Sequence, residues 1–580
     1  MGKLAIIKSL VPDIRDVLLQ RKLGWGFLFG TAYIVPILEI AVLVSAYLIF
    51  DSKKRNALFS ENGILGALGF GNFAHDDKLL ISSIFIMGLM LVIIYGLTRY
   101  LSELTATKVK VYFSVVDSHK LIDSYLNTSL LHARRIDKER ITSSIIYDCG
   151  SLAGMVRQWI TIIQSFFGLV TYMLGAIWIS WKMVLVILVI YVVPLYITRH
   201  LYSSLYEIGK SQVLKREAVV QHFADFGVAF ERSRVDGLES LLGPEALKVV
   251  RKSKKLVVNE RKTKIQFTVI NESINLLGLL ALLYVGTVFI GTSAAILIAM
   301  LVMFNRVKTY INAITGSLLS TQTILGKIER FNGLINELQA NGVASQAKGL
   351  TGSTDRLNIK KIEAKDVGFS YDNKQVLFID NFRAQAGDRI LIQGPSGHGK
   401  TTFLELICGL LTPTTGKVLL NGKNLDSGLF NMMRQQLAYV SQNVFLFRKS
   451  IRKNLMLDES VDMKSVEKVI KSVGLQEFIA ALPDGIDTNI GPNGAKLSLG
   501  QRQRIVLARL FLKKPNFILL DEATANLDQK QEKEIMKSIS SFIDKNSILM
   551  VVAHKVPGGI TFNKSYWLEN GILHEDSSGR

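Results

Sequence analysis

The sequence predicts an α-helical transmembrane bundle of six spans followed by an α/β domain of the P-loop type. Two observations carry this prediction. Apolar segments long enough to cross a bilayer crowd the first half of the 580 residues, and hydrophobic residues make up 49% of the chain. Further on, Arg389–Gln393 (RILIQ) reads as a short buried strand, Gly394–Gly399 as a glycine-rich loop and Thr401–Leu410 as a helix. The length accommodates two or more domains, and composition places a membrane region at 1–338, a small polar linker at 339–356 and the α/β domain at 357–580.

Taken in order, Leu4–Leu19 alternates apolar and charged residues as an amphipathic helix on a membrane surface would. The first two spans are expected at Trp25–Phe50 and Leu79–Leu97. The next two, Ile160–Ile179 and Trp181–Ile197, are expected to be joined by a turn at Ser180–Lys182. Phe267–Ile290 and the apolar run from Thr292 onward form the third pair, turning at Gly291, with Asn305 and Arg306 interrupting the last span. No cleavable signal peptide is read at the start, because the first apolar run is long and lacks a small-residue cleavage site.

Between these spans, 98–155 and 198–266 are too long for simple loops and read as helical extensions into the cytoplasm, with turns near Thr128–Ile136 and Gly227–Gly237. The net charge of +21 points away from nucleic acid, since Lys and Arg gather beside the apolar segments (Lys108, Lys110, Arg134, Arg135, Lys210, Lys215). That asymmetry marks cytoplasmic ends, and an even number of spans keeps both termini on that side. Lys53, Lys54 and Arg55 break the pattern locally. Cys149 and Cys408 lie far apart without metal-ligand spacing and read as reduced thiols.

Three polar features within spans need a reason, because a charge in hydrocarbon costs several kcal/mol. Glu39 follows Pro36 by three residues, and two readings stay open: a hydrogen-bonded residue at a helix kink, or a group in a cavity. Arg306 and Lys308 either face a water-filled cavity, where they attract an anionic substrate, or mark a helix end. Asn271, Glu272 and Asn275 fit the cytoplasmic mouth of the fifth span.

The α/β half carries the chemistry. In GPSGHGKTT, residues Gly394, Pro395, Ser396, Gly397, His398 and Gly399 form a loop whose backbone N–H groups wrap the phosphates of ATP. Lys400 adds a point charge for the β- and γ-phosphates, Thr401 a hydroxyl for Mg²⁺, and Thr402 continues the helix. Phe517–Leu520 is a second apolar strand ending in Asp521, placed for Mg²⁺, and Glu522, placed to polarise the attacking water. His554 follows the strand Ile548–Val552 and is placed for the γ-phosphate.

In this order and spacing the chain resembles an ATP-binding-cassette exporter of the half-transporter type, six spans followed by one cassette. The resemblance implies that Tyr371 stacks on adenine and that Gln442 reaches Mg²⁺ and senses the γ-phosphate. It also implies that Ser498, Gly500 and Gln501 of the signature LSLGQ cap ATP held by the opposite subunit, and that Ala525–Asp528 cross the dimer interface. Two positions depart from the family pattern: Leu499 replaces a glycine, and Pro492 replaces a glutamate. Such a signature cannot reach its own phosphate loop, so a dimer is implied, a homodimer most simply and a heterodimer otherwise.

The long segment Asp51–Lys78 and the acid in span one are similar to bacterial lipid-linked oligosaccharide flippases of this superfamily. The substrate expected on that ground is an amphipathic anionic lipid or lipid-linked glycan, moved outward across a bacterial inner membrane. A peptide or drug exporter and a non-transporting regulatory ATPase are the alternatives.

Overall fold

The computed structural model describes residues 22–50, 77–190 apart from 178, 219, 234–342 apart from 293, and 357–576 apart from 373, 443, 458–460 and 525–527. The expected surface helix Leu4–Leu19, most of Asp51–Lys78, the end of Trp181–Ile197, most of the Gly227–Gly237 turn and of the linker, and Ala525–Leu527 lie outside them. The described residues fall into two compact units. One lies within Met1–Leu126 and Arg135–Ala340, the other within Asn127–Arg134 and Asn341–Arg580.

The first unit is helical. Its elements are α1 (Lys22–Phe50), α2 (Asp77–Leu126), then α3 (Leu130–Arg135), which falls mostly in the second unit, and α4 (Lys138–Tyr147). They are followed by α5 (151–177), α6 (Ile179–Ile190), α7 (Glu239–Tyr284) and α8 (Ala294–Ala340). Among the described residues, five helical stretches are long and apolar enough to cross a membrane, and Ile179–Ile190 is a shorter apolar helix. At 50 residues α2 extends roughly 75 Å, more than twice the hydrocarbon thickness, so it continues well beyond its apolar part.

Two expectations are corrected here. Residues 180–182, expected as a turn, are helical, which follows from the lack of any Gly or Pro among them to end a helix. Asn305 and Arg306 do not interrupt α8, which runs for 47 residues, since neither residue type breaks a helix, and the Arg306 charge is met by Glu39 of α1. The turn at Gly291 is present, with a φ of +66° and the Thr292 N–H donating to the Gly286 carbonyl at 3.0 Å.

Packing follows the apolar faces. Trp25, Leu28 and Ala32 of α1 meet Val109 and Phe113 of α2 and Val156 and Ile160 of α5. Tyr172 of α5 and Met183 and Ile187 of α6 pack with Leu282 of α7 and Met300, Phe304 and Val307 of α8. Gly168 lets α8 approach closely: a Cβ there would fall 2.3 Å from the Tyr310 ring.

In the second unit, one sheet orders its strands β5-β4-β1-β2-β10-β9-β3-β8-β7-β6. Its ranges are β1 Lys361–Tyr371, β2 Lys374–Gln385, β3 Arg389–Gln393, β4 Thr415–Leu420 and β5 Lys423–Asn424. They continue with β6 Leu437–Val440, β7 Phe517–Asp521, β8 Ile548–Val552, β9 Lys564–Glu569 and β10 Ile572–Glu575. Strands β1, β2, β4 and β5 pair antiparallel, whereas β9, β3, β8, β7 and β6 run parallel. Parallel strands are covered on both faces, and every residue of β7 (FILLD) and β8 (ILMVV) is buried accordingly. Apolar side chains fill one core on each side of this sheet.

The segment Asn127–Arg134 belongs to this unit. Leu130 and Leu131 pack on the core that holds Phe382 and Phe403, and Ser129 N–H donates to the Asn341 carbonyl at 2.9 Å. Arg134 presents its guanidinium fork to the buried carboxylate of Glu405, with Nη1 at 3.0 Å from Oε2. This bond and the attraction behind it hold the Arg134 guanidinium above its usual range. Arg134→Ala leaves a buried carboxylate without its partner. Because the arginine itself is half exposed, the expected loss is moderate, about 1–2 kcal/mol, read as a shift in the chemical denaturation midpoint.

Candidate nucleotide site

The parallel order β3-β8-β7-β6 puts the C-terminal ends of four neighbouring strands along one edge. Each end delivers a residue singled out in the sequence: the loop 394–399 after β3, Gln442 after β6, Asp521 and Glu522 at β7, and His554 after β8. Ligands of open α/β sheets bind outside such strand ends.

The loop needs its first glycine. Gly394 has φ +148°, and a Cβ there would stand 2.0 Å from the Leu568 carbonyl oxygen, which no side chain tolerates. Pro395, Ser396, Gly397, His398 and Gly399 carry the chain round to α9 (Lys400–Ile407), and Thr402 is buried in its first turn. Lys400 is 5% exposed, and its Nζ donates to the carbonyls of Gly394 and Pro395 at 2.9 Å each. The His398 Nδ1 accepts from the Asn570 N–H at 2.9 Å, which ties the loop to the turn between β9 and β10.

Beside the loop, the Thr401 hydroxyl donates to Asp521 Oδ2 at 2.9 Å and the Tyr439 hydroxyl donates to the same oxygen at 3.2 Å. Burial pushes the Asp521 carboxyl above its usual range, while these two hydrogen bonds pull it back. Tyr439 was not legible as a site residue. In the sequence it is one aromatic in an apolar strand, and only the pairing of β6 with β7 brings it to Asp521. Burial also raises its phenol well above the ordinary value.

Glu522 has φ +51°, a left-handed conformation that a residue with a Cβ adopts at a cost of about 1–3 kcal/mol. That turn aims its carboxylate between two donors. Gln442 Nε2 donates to Oε2 at 2.8 Å, and His554 Nε2 lies 3.0 Å from Oε1. The Glu522 N–H is anchored on the Val552 carbonyl at 3.1 Å.

Other expected site residues stand apart from this group. Tyr371 ends β1 with its ring edge-on to Phe369, the centroids 4.9 Å apart. Ser498 caps α10 (Leu499–Lys513), accepting from Gln501 N–H at 3.2 Å while the Gln501 side chain accepts from the Ser498 N–H at 2.9 Å. Gly500 is in the first turn of that helix, and Leu499 beside it is exposed. Asp528 caps α11 (Gln529–Phe542) through Gln531 N–H at 2.8 Å. Ser498→Ala removes one half of a reciprocal cap, and the expected loss is about 1 kcal/mol in unfolding free energy.

For a metal, no cluster of three or more His, Cys, Asp or Glu side chains occurs among the described residues. Thr401, Asp521 and Gln442 offer hydroxyl, carboxylate and amide oxygens instead. Hard oxygen donors in small number fit Mg²⁺, which keeps water and substrate phosphates as its other ligands.

The arrangement matches known sequences. Residues 377–525 match the profile of a family described as ABC transporter. Those residues are an ABC transporter cassette. The match implies ATP binding. An ATP-dependent lipid A-core flippase of Cupriavidus metallidurans is 36% identical over 219 residues, 37% of this chain and 37% of the relative. A multidrug resistance ABC transporter ATP-binding and permease protein of Lactococcus lactis is 29% identical over 379 residues, 60% of this chain and 62% of the relative. Each alignment therefore spans less than two thirds of the relative's length. A solved bacterial Atm1-family ABC exporter with ATP bound aligns with 97% of this chain and 95% of its own, at a TM-score of 0.76 and 19% identity. The ABC cassette thus follows a helical region within an exporter-type fold, in which five helical stretches among the described residues are long and apolar enough to cross a membrane.

Proposed function

We propose that the chain is one half of an ATP-driven exporter or flippase, working as a homodimer in a bacterial inner membrane with its cassettes in the cytoplasm. The observation that carries this reading is the Glu522 carboxylate bracketed by Gln442 and His554, next to the Thr401–Asp521 pair and the phosphate loop.

The roles follow from position. Lys400 and the backbone N–H groups of 396–399 bind the β- and γ-phosphates, and Tyr371 receives adenine. Thr401, Asp521 and Gln442 hold Mg²⁺, which neutralises phosphate charge when bound. Glu522 orients and polarises the attacking water, with His554 and Gln442 fixing its carboxylate and His554 reaching the γ-phosphate. Ser498, Gly500 and Gln501 of one copy close over ATP on the other, with Asp528 at the interface. Closure follows from tighter ATP binding to the closed pair, and hydrolysis reopens it.

The substrate we propose is an amphipathic anionic lipid or lipid-linked glycan, moved outward. The relative named a lipid A-core flippase supports a lipid, as do cationic Arg306 and Lys308 on α8. The relative named a multidrug resistance transporter supports a second reading, export of drugs or peptides. Proteoliposomes loaded with Mg·ATP on the cassette side decide between them: ATP-dependent movement of a labelled anionic lipid is expected. Movement of a cationic dye without lipid movement supports the second reading. Hydrolysis with neither movement leaves a non-transporting ATPase.

A further inference from the structure

Helices α1 and α8 meet through a charged contact at a depth where charge is costly. Glu39 is near the middle of α1, and Arg306 is roughly 18 Å along α8 from its start at Ala294, about half a bilayer core. Arg306 Nη1 forms an ion pair with Glu39 Oε1, and the Tyr310 hydroxyl donates to Oε2. Four residues apart, Arg306 and Tyr310 share one helix face.

The Tyr310 ring is held in turn, over Gly168 and against the Tyr172 ring with centroids 5.7 Å apart. Nearby on α2, Arg99 donates to the Tyr95 hydroxyl at 2.7 Å. The two charges differ in access. The Glu39 side chain is 10% exposed, whereas that of Arg306 is 38% exposed.

We propose that Arg306 receives the anionic group of the transported amphiphile and that Glu39 is its internal counter-ion, taking up one proton as the anion arrives. This rests on reading the chain as a transporter of anionic amphiphiles. The pair alone is neutral. A second anion on Arg306 would leave a net negative charge in a medium of low dielectric, which is unfavourable. One proton from water, added to Glu39, restores neutrality: carboxylate, guanidinium, anion and proton become a carboxylic acid beside a guanidinium–anion pair. The neutral acid still accepts from the Tyr310 hydroxyl. A purely structural latch between α1 and α8 would answer to neither anion nor proton.

The test is ATPase activity of the full chain in phosphatidylcholine vesicles with increasing phosphatidylglycerol, whose charge is constant between about pH 6 and 8. Each rate is divided by that variant's own rate in phosphatidylcholine alone. Phosphatidylglycerol is expected to stimulate the wild type, and the half-stimulating fraction is expected to rise by up to about tenfold per pH unit. Glu39→Gln needs no proton, so its response should come at lower fractions and be flat with pH. Arg306→Gln alone strands a buried carboxylate and risks misfolding. The double variant E39Q/R306Q is neutral, and it should fold and hydrolyse ATP yet show no stimulation.

A wild type that hydrolyses ATP but ignores phosphatidylglycerol overturns the proposal. So does an E39Q variant with the wild-type pH dependence, or a double variant stimulated as the wild type is. A wild type without any ATPase activity overturns the transporter reading itself.

Discussion

Glu522→Gln is expected to lower ATP turnover by roughly 10²–10⁴-fold while ATP still binds. The substitution keeps the size and shape of the side chain and removes its basicity. The left-handed turn at Glu522 and its anchor on the Val552 carbonyl involve backbone only, so the site geometry survives. The Gln442 amide and the His554 ring, which now meet a carboxylate, would meet an amide of the same outline. Phosphate release with Mg·ATP reads the first part of the prediction, and equilibrium binding of a fluorescent ATP analogue reads the second. Turnover within tenfold of the wild type would remove Glu522 from the mechanism.

Lys400→Ala is expected to act earlier, on binding. The ammonium is buried inside the loop at hydrogen-bond distance from two of its carbonyls. Hydrogen bonds to charged groups contribute about 1.5–3 kcal/mol each. Losing those that Lys400 makes to phosphate and loop should weaken ATP binding roughly 100-fold or more. The same fluorescent analogue measures it, and wild-type affinity in the variant would contradict the placement of phosphate at this loop.

Much of the cassette was legible because its strands are short, apolar and punctuated. RILIQ is β3 as read, and FILL is β7 with Asp521 added as its last residue. The helix expected over Thr401–Leu410 starts one residue sooner and ends at Ile407, since Cys408 leaves helical geometry and Gly409 turns left-handed at φ +75°. That glycine was a visible stop signal.

Partnerships between distant elements were not legible. Nothing near Glu39 in the sequence points to Arg306, 267 positions later, and each was read singly with two readings open, a helix kink or a cavity for Glu39 and a cavity or a helix end for Arg306. The same holds for Arg134 with Glu405 and for Tyr439 with Asp521. Periodicity reports which face of an element is buried; it does not report which element lies against it. Strand order is hidden for the same reason, and it is the order β3-β8-β7-β6 that gathers the site.

The most direct measurement of the account is a cross-link between subunits. Two variants, Ser396→Cys in the phosphate loop and Ser498→Cys in the signature, are made in a background lacking Cys149; Cys408 is fully buried and is left in place. The two proteins are co-reconstituted and oxidised with and without Mg·ATP. The account predicts a disulfide-linked species of twice the chain mass that requires both variants together and is strongly enriched by ATP. Absence of that species with saturating ATP, while both proteins still bind the nucleotide, would contradict the claim that ATP is held between two copies of the cassette.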